Sequence, residues 1–229
     1  MSKDKQQTIP FSTVLASTVH DMKNALGVIL ISLGDITDKL NEADPNNTKI
    51  NVLRYETSRV NGLLVQLLAL YKAEQKQLPI NINYYNVYDF LEDQVLAFDE
   101  LLSSKKITVS LNIEEELEWA FDSDLMATVI SNIMTNNIRY TDSTILVTAT
   151  IIDDMLEITI EDDGPGYPEV MIASQNDVIL GINQSTGSTG LGLYFAGQVA
   201  SMHKSEDKIG TIFLSNADTS GGIFTIRIP

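Results

Sequence analysis

The residues of this chain that could do chemistry are two histidines, a set of amides, one strand-end carboxylate and a string of glycines. Asn132 and Asn136 lie four apart in NIMTNNIRYT, so on a helix they share a face. An amide oxygen is a hard, neutral ligand for a Mg²⁺ ion that already carries triphosphate oxygens. Arg139 and Tyr140 follow within a turn, offering a cation for phosphate and a ring to cover a base. Downstream, Asp162 ends an alternating apolar run just before Gly164 and Gly166 in DDGPG. A carboxylate there can accept a hydrogen bond from an adenine amino group, while the glycines let backbone approach a ligand closely. Gly190, Leu191 and Gly192 in GSTGLGL open a further helical stretch, whose free N–H groups and dipole favour phosphate. It is not a Walker loop, because no lysine follows the glycines. Each segment is weak alone; in this order they describe an ATP site with Asn132 and Asn136 as its metal-binding pair.

His20 and His203 are the only histidines. His203 follows the last glycine segment near a helix end, where a structural role is expected. His20 comes one residue after the apolar position Val19, which places it on the outer face of its helix. That exposure is what a nucleophile needs if it is to meet ATP from another domain. Asp21 and Asn24 stand beside it in HDMKN.

The elements that must position these groups fall into two regions. Residues 10–41 read as one helix, with Leu15, Val19, Met22, Leu26, Ile29, Leu33, Ile36 and Leu40 in alternating steps of four and three. A second seam follows the Asp44-Pro45 turn: Ile50, Leu53, Thr57, Val60, Leu64, Leu67 and Tyr71. Two seams joined by a short connection predict a helical hairpin, and its remaining apolar surface predicts a homodimeric four-helix bundle. The pattern changes near Leu78-Pro79, which sets the expected domains at 1–77 and 78–229. Beyond it the expectation is a strand at 80–83, a helix over 87–105, and strands at 107–113 and 117–121. Asp122 or Ser123 can cap a helix running to about Tyr140. Strands 144–153 and 155–162 form a hairpin around Asp153-Asp154, and 163–189 reads as loop. A helix from Gly190 to Met202 and strands 211–216 and 222–228 complete an α+β sandwich, with helices on one face of a mixed sheet.

The bulk composition sets limits. Hydrophobic content of 44% with 20% charged residues is that of a globular protein. The longest apolar runs, VILI and LLVQLLALY, fall far short of a membrane span, and the N-terminus has no apolar signal region. The absence of cysteine excludes disulfides and thiolate metal sites and suits a cytoplasmic protein. Thirty-one acids against 15 bases, a formal charge of -16, argue against nucleic acid or anionic lipid as a main partner.

In their order, NIMTNNIRYT, DDGPG and GSTGLGL resemble the N box and two glycine boxes of the ATPase domain shared by sensor histidine kinases, DNA gyrase B, Hsp90 and MutL. The resemblance covers roughly residues 80–229. Through HDMKN, the upstream hairpin is similar to the dimerisation and histidine-phosphotransfer domain of bacterial histidine kinases. The resemblance implies a histidine kinase in a form without a sensor domain. His20 would take the γ-phosphate of Mg-ATP and pass it to an aspartate on a response-regulator receiver domain. Asp21 would orient the imidazole and receive its proton, and Asn24 would position a water for dephosphorylating that partner. In ATP-hydrolysing relatives the position of Asn132 usually carries a glutamate that activates water; an amide cannot do so, which favours a kinase over a hydrolase.

One departure favours an alternative, an ATP-independent phosphotransfer or scaffold protein on a degenerate kinase fold. The stretch from Tyr167 to Thr189 has no phenylalanine, arginine or lysine, although Val178, Ile179 and Leu180 can serve as an apolar anchor. Lys204-Ser205 stands where the family usually carries a glycine pair after the last histidine, a loop variation.

Overall fold

The computed structural model describes residues 11–37, 47–75, 77–173 and 191–229. The chain divides into two compact units, Met1–Leu78 and Pro79–Pro229.

The first unit is a pair of packed helices, α1 (Phe11–Thr37) and α2 (Asn47–Glu74). The ends of the expected first helix, residue 10 and residues 38–41, lie outside the described residues, as does the Asp44-Pro45 turn. The apolar seam of α1 splits into two edges. Val19 is buried and Leu26 and Leu33 are half-buried, whereas Met22, Ile29 and Ile36 are 50%, 46% and 46% exposed. Each edge repeats every seven residues, as a coiled-coil face does. On α2, Leu64, Leu67 and Tyr71 are half-buried while Leu53 and Val60 are exposed.

The second unit is built on a five-stranded mixed sheet. Its strands are β2 (Thr108–Ile113), β4 (Thr144–Ile152), β5 (Met155–Asp162), β6 (Thr211–Asn216) and β7 (Gly222–Ile228), in the spatial order β2-β4-β5-β7-β6. Only β2 and β4 run parallel; the other pairs are antiparallel. A separate two-stranded ribbon joins β1 (Asn83–Asn86) to β3 (Glu118–Phe121). The helices are α3 (Val87–Leu96), α4 (Asp99–Lys105), α5 (Ser123–Tyr140), α6 (Glu169–Ala173) and α7 (Leu191–Met202). Along β5, Leu156, Ile158, Ile160 and Asp162 turn inward with the period of two that a one-sided sheet requires. Helix α5, with its buried stripe of Met126, Val129, Ile130, Ile133 and Met134, packs against β5, while α7, with Phe195, Ala196 and Val199 buried, packs against β6, β7 and α5.

Three expected elements differ. The strand expected at 80–83 begins at Asn83, because its partner β3 sets the register from Asn83↔Phe121, and the Asn81 amide instead donates to Asp122 Oδ2. The helix expected over 87–105 breaks in two: Phe98 N donates to Val95 O, a tighter turn, and Phe98 leaves helical geometry. Within the expected loop 163–189, Glu169–Ala173 forms α6, opened by Pro168, whose carbonyl accepts from Met171 and Ile172. Residues 174–190 lie outside the described ones, and with them Val178, Ile179, Leu180 and Gly190.

Asp122 ties the start of α5 to the end of α7. Its Oδ1 accepts from Leu125 N, the N-cap bond, and its own amide donates to His203 Nε2 at 3.0 Å. His203 Nδ1 lies 2.8 Å from the Val199 carbonyl. An accepting Nε2 requires the proton on Nδ1, so His203 is a buried neutral imidazole. Burial pushes its titration below the ordinary histidine value, against the upward pull of the Val199 carbonyl and the Asp122 charge. The unfolded chain, with histidine near about 6.5, therefore binds the proton more readily than the fold does. The stability from this contact is complete above that pH and is lost as pH falls through the lower folded value. Urea unfolding at pH 7.5 and 5.5 should show wild type losing more stability on acidification than His203→Leu. Equal losses in both would place the acid-sensitive group elsewhere.

Candidate functional site

Helix α5 carries the amides. Asn136 is exposed, and Asn132 is half-buried with its Nδ2 out of water and without a hydrogen-bond partner. The amide of Asn132 fills the space over Gly192 in the first turn of α7, so closely that a Cβ at residue 192 would overlap it. Asn137, which the sequence reading passed over, is 3% exposed and also leaves its Nδ2 unpartnered. Two orphaned donors on one helix call for a ligand or bound solvent, since buried polar groups are otherwise paired. Arg139 and Tyr140 are exposed at the end of α5, with the guanidinium 5.9 Å from the Tyr140 ring centroid.

Beyond α5 stands the carboxylate. Asp162 is 8% exposed, and its Oδ1 accepts from the amides of Gly164 at 2.9 Å and Gly222 at 3.3 Å. Gly164 lies directly under the Tyr140 carbonyl, where a Cβ would strike backbone. Gly166 needs its φ of +77° and lies against Asn216, whose amide accepts from Tyr167 N and donates to Tyr167 O. Burial, with the Asp162 charge adding to it, raises the Tyr167 phenol far above its ordinary value, so it stays protonated.

The residue that fixes this corner is Asp163, which the sequence reading did not single out. Its carboxylate accepts from the Thr141, Ser143 and Thr144 hydroxyls and from the amides of Asp142, Ser143 and Thr144. Desolvation alone would raise this carboxyl, but the donors from Ser143, Thr141 and Thr144 outweigh it and hold Asp163 well below the usual carboxylate range. TDST supplies a run of hydroxyl and amide donors, but nothing local says which carboxylate collects them.

The structure thus brings together Asn132 with Gly192, Tyr140 with Gly164, and Asp162 with the DDGPG turn. Leu191 begins α7 half-buried, and Gly190 lies outside the described residues. The donor set fits Mg-ATP in kind. Two neutral amide oxygens would leave a magnesium ion to take its remaining ligands from phosphate and water, as that ion usually does. Among the described residues no cluster of three or more carboxylate, histidine or cysteine side chains could hold a metal without a ligand's help.

In the first unit His20 is exposed on α1, its side chain 59% accessible, beside Asp21 at 77%. Asn24 Nδ2 is 3.3 Å from His20 Nδ1, and Asp21 Oδ1 is 3.8 Å from the same nitrogen.

Residues 121–229 match the family model described as histidine kinase-, DNA gyrase B- and HSP90-like ATPase. The chain is similar to sensor histidine kinase RppB of Synechocystis sp., 26% identical over 223 residues that cover 93% of this chain and 48% of that protein. It is also similar to sensor histidine kinase CssS of Bacillus subtilis, 24% identical over 222 residues that cover 95% of this chain and 46% of that one. The chain spans about half the length of these curated relatives. The solved histidine kinase AdeS of Acinetobacter baumannii shares the fold, with a TM-score of 0.61 at 24% identity over 90% of this chain and 95% of that one. So does full-length ShkA, solved in complex with AMPPNP, with a TM-score of 0.68 at 17% identity over 95% of this chain and 45% of that one.

The two glycine contacts should separate stability from binding. Gly164→Ala meets the Tyr140 backbone, which cannot step aside, and should cost about 2 kcal/mol or more in urea unfolding. Gly192→Ala meets only the end of the Asn132 side chain, so its stability should change by about 1 kcal/mol or less. The same variant displaces Asn132, and its affinity for a fluorescent ATP analogue should fall about tenfold, the lower end for one hydrogen bond to a charged group. Normal nucleotide binding in Gly192→Ala would remove Asn132 from the site. With the ordered boxes and the sandwich that holds them, residues 121–229 form an ATPase domain of the histidine kinase-, DNA gyrase B- and HSP90-like type, in a chain that is similar along most of its length to sensor histidine kinases.

Proposed function

We propose that this chain is the kinase core of a homodimeric protein-histidine kinase that phosphorylates its own His20 from Mg-ATP. Residues 1–77 act as the dimerisation and phosphotransfer hairpin, and 78–229 as the catalytic ATP-binding domain. His20 then passes the phosphoryl group to an aspartate on a response-regulator receiver domain, and Asn24 positions water when the partner is dephosphorylated. The observation that carries the reading is the convergence on α5, where Asn132 meets Gly192 and Tyr140 meets Gly164.

In this reading Asp162 accepts from the adenine amino group, Tyr140 covers the base, and the Leu191-Gly192 turn of α7 faces phosphate, with Gly190 before it. Bound magnesium, held by Asn136 and Asn132, would neutralise phosphate charge. No carboxylate occupies the place of Asn132, so ATP waits for a nucleophile from the hairpin. His20, with Asp21 as proton acceptor, is that nucleophile, and its exposure leaves the ring open to approach.

The dimer rests on the split seam of α1. Met22, Ile29 and Ile36 stand exposed at heptad spacing, and a second hairpin of the same sequence presents the matching stripe. No helix among the described residues is long and apolar enough to cross a membrane, and we place the kinase core in the cytoplasm, with no role for nucleic acid.

Incubation with γ-labelled ATP should give an acid-labile, base-stable phosphate that His20→Ala abolishes. Labelling of the variant at the wild-type rate would overturn the assignment. Ile29→Glu places a charge in the exposed seam, and light scattering should report a monomer where wild type is a dimer. A monomeric wild type would overturn the proposed bundle.

A further inference from the structure

His20 Nδ1 has two neighbours of opposite character. Asn24 Nδ2, one turn along α1, is 3.3 Å away and can only donate. Asp21 Oδ1 is 3.8 Å away and, as a carboxylate, can only accept. The first separation is within hydrogen-bond reach and the second is outside it. A neutral imidazole carries one ring proton, and the partner of one nitrogen decides where that proton sits. When Asn24 donates to Nδ1, that nitrogen must offer its lone pair, so the proton is on Nε2. An Nε2 that bears hydrogen has no in-plane pair with which to attack phosphorus. When Asp21 accepts from Nδ1, the proton is on Nδ1 and the Nε2 pair is free.

We infer that Asn24 is a positioning residue that holds His20 in its non-nucleophilic Nε2–H form, and that exchange of Asn24 for Asp21 at Nδ1 licenses phosphoryl transfer. This rests on the reading of His20 as the phosphoacceptor. In the licensed form the Nε2 pair forms a bond to the γ-phosphorus while the bond to the β,γ-bridging oxygen breaks. ADP leaves with that electron pair. The ring becomes a phospho-imidazolium, and its Nδ1 proton passes to the Asp21 carboxylate. Any signal that rotates α1 or re-seats Asn24 changes the tautomer, and so changes the rate, without touching the ATP site.

The full chain labelled with ¹⁵N has two histidines, so long-range proton–nitrogen spectra can assign both tautomers. His203, held as Nδ1–H by Val199 and Asp122, is the internal reference. Wild-type His20 should give the opposite, Nε2–H pattern. Asn24→Ala should move it toward Nδ1–H and raise the initial rate of labelling by about threefold or more, the scale of one neutral hydrogen bond, with the KM for ATP unchanged. Asn24→Leu, which keeps bulk but no amide, should behave as the alanine variant does. The inference is overturned by an Nδ1–H pattern in wild type, by an unchanged pattern in Asn24→Ala, or by slower labelling in both variants. If wild type takes no label at all, the phosphoacceptor reading fails, while the ring spectra still decide the role of Asn24.

Discussion

The candidate ATP site depends on one carboxylate that does not face it. β5 ends with Asp162 on its buried face, and Asp163 begins the turn that follows. Asp163 gathers three hydroxyls and three amides from Thr141 to Thr144, which links the exit of α5 and the entry of β4 to the end of β5. That link holds the Tyr140 carbonyl over Gly164 and sets the Asp162 carboxylate in a fixed relation to the amides of α5. Charge-assisted bonds of this kind are the stronger class of hydrogen bond, and six donors on one carboxylate leave little freedom at the corner. A binding site made from two elements needs such a link. Ligand groups gain little from a helix and a strand that drift independently.

The parts of this molecule that sequence makes legible are those set by period. Heptads mark α1 and α2, and alternation marks β4 and β5 to within a residue or so. The turn between those two strands was visible in Asp153-Asp154, both of which adopt positive φ. Asp122 was legible as a cap because the start of α5 needs an acceptor there. What was not legible is set by distant partners. Nothing local announces the break at Ala97 and Phe98, since alanine favours helix, and Lys106 takes a left-handed conformation that its type does not suggest. β1 begins where β3 can pair with it rather than where its own apolar residues begin. For the site, the residue types at Asn132, Asn136 and Asp162 were legible, but their support was not. Asp163 and Asn216 act through partners that only the folded chain brings near.

The hairpin unit shows why a periodic pattern reveals more than its strength suggests. The apolar seam read over residues 10–41 is one stripe in sequence, and its described positions from Val19 to Ile36 form two edges in space. One edge packs within the hairpin, while Met22, Ile29 and Ile36 remain at the surface. A single pair of helices can cover only one side of each apolar stripe, so the pattern contains the need for more helices before any partner is identified. His20 stands next to the covered edge at Val19 and is itself exposed. This arrangement lets the same helix bury apolar surface and present an imidazole to solvent.

Charge is the harder requirement. A chain of formal charge -16 must accept a polyanion, so in the proposed reaction the local cations matter more than the total. Several are engaged away from the α5–α7 contact. Lys105 donates to the Ile138 carbonyl, Lys208 reaches the Asp153-Asp154 turn, and Arg227 pairs with Glu157 on β5. Arg139 is different: it projects from the exposed end of α5, three residues after Asn136, against the ring of its neighbour Tyr140. The stretch from Tyr167 to Thr189, where relatives often carry a basic residue, contains none. Transition-state stabilisation in phosphoryl transfer is chiefly electrostatic, so a segment without a cation shifts that demand onto the metal, the α7 N-terminus and Arg139. In the proposed reaction Arg139 is therefore a cation that α5 itself can bring to phosphate, on the same helix as the amides.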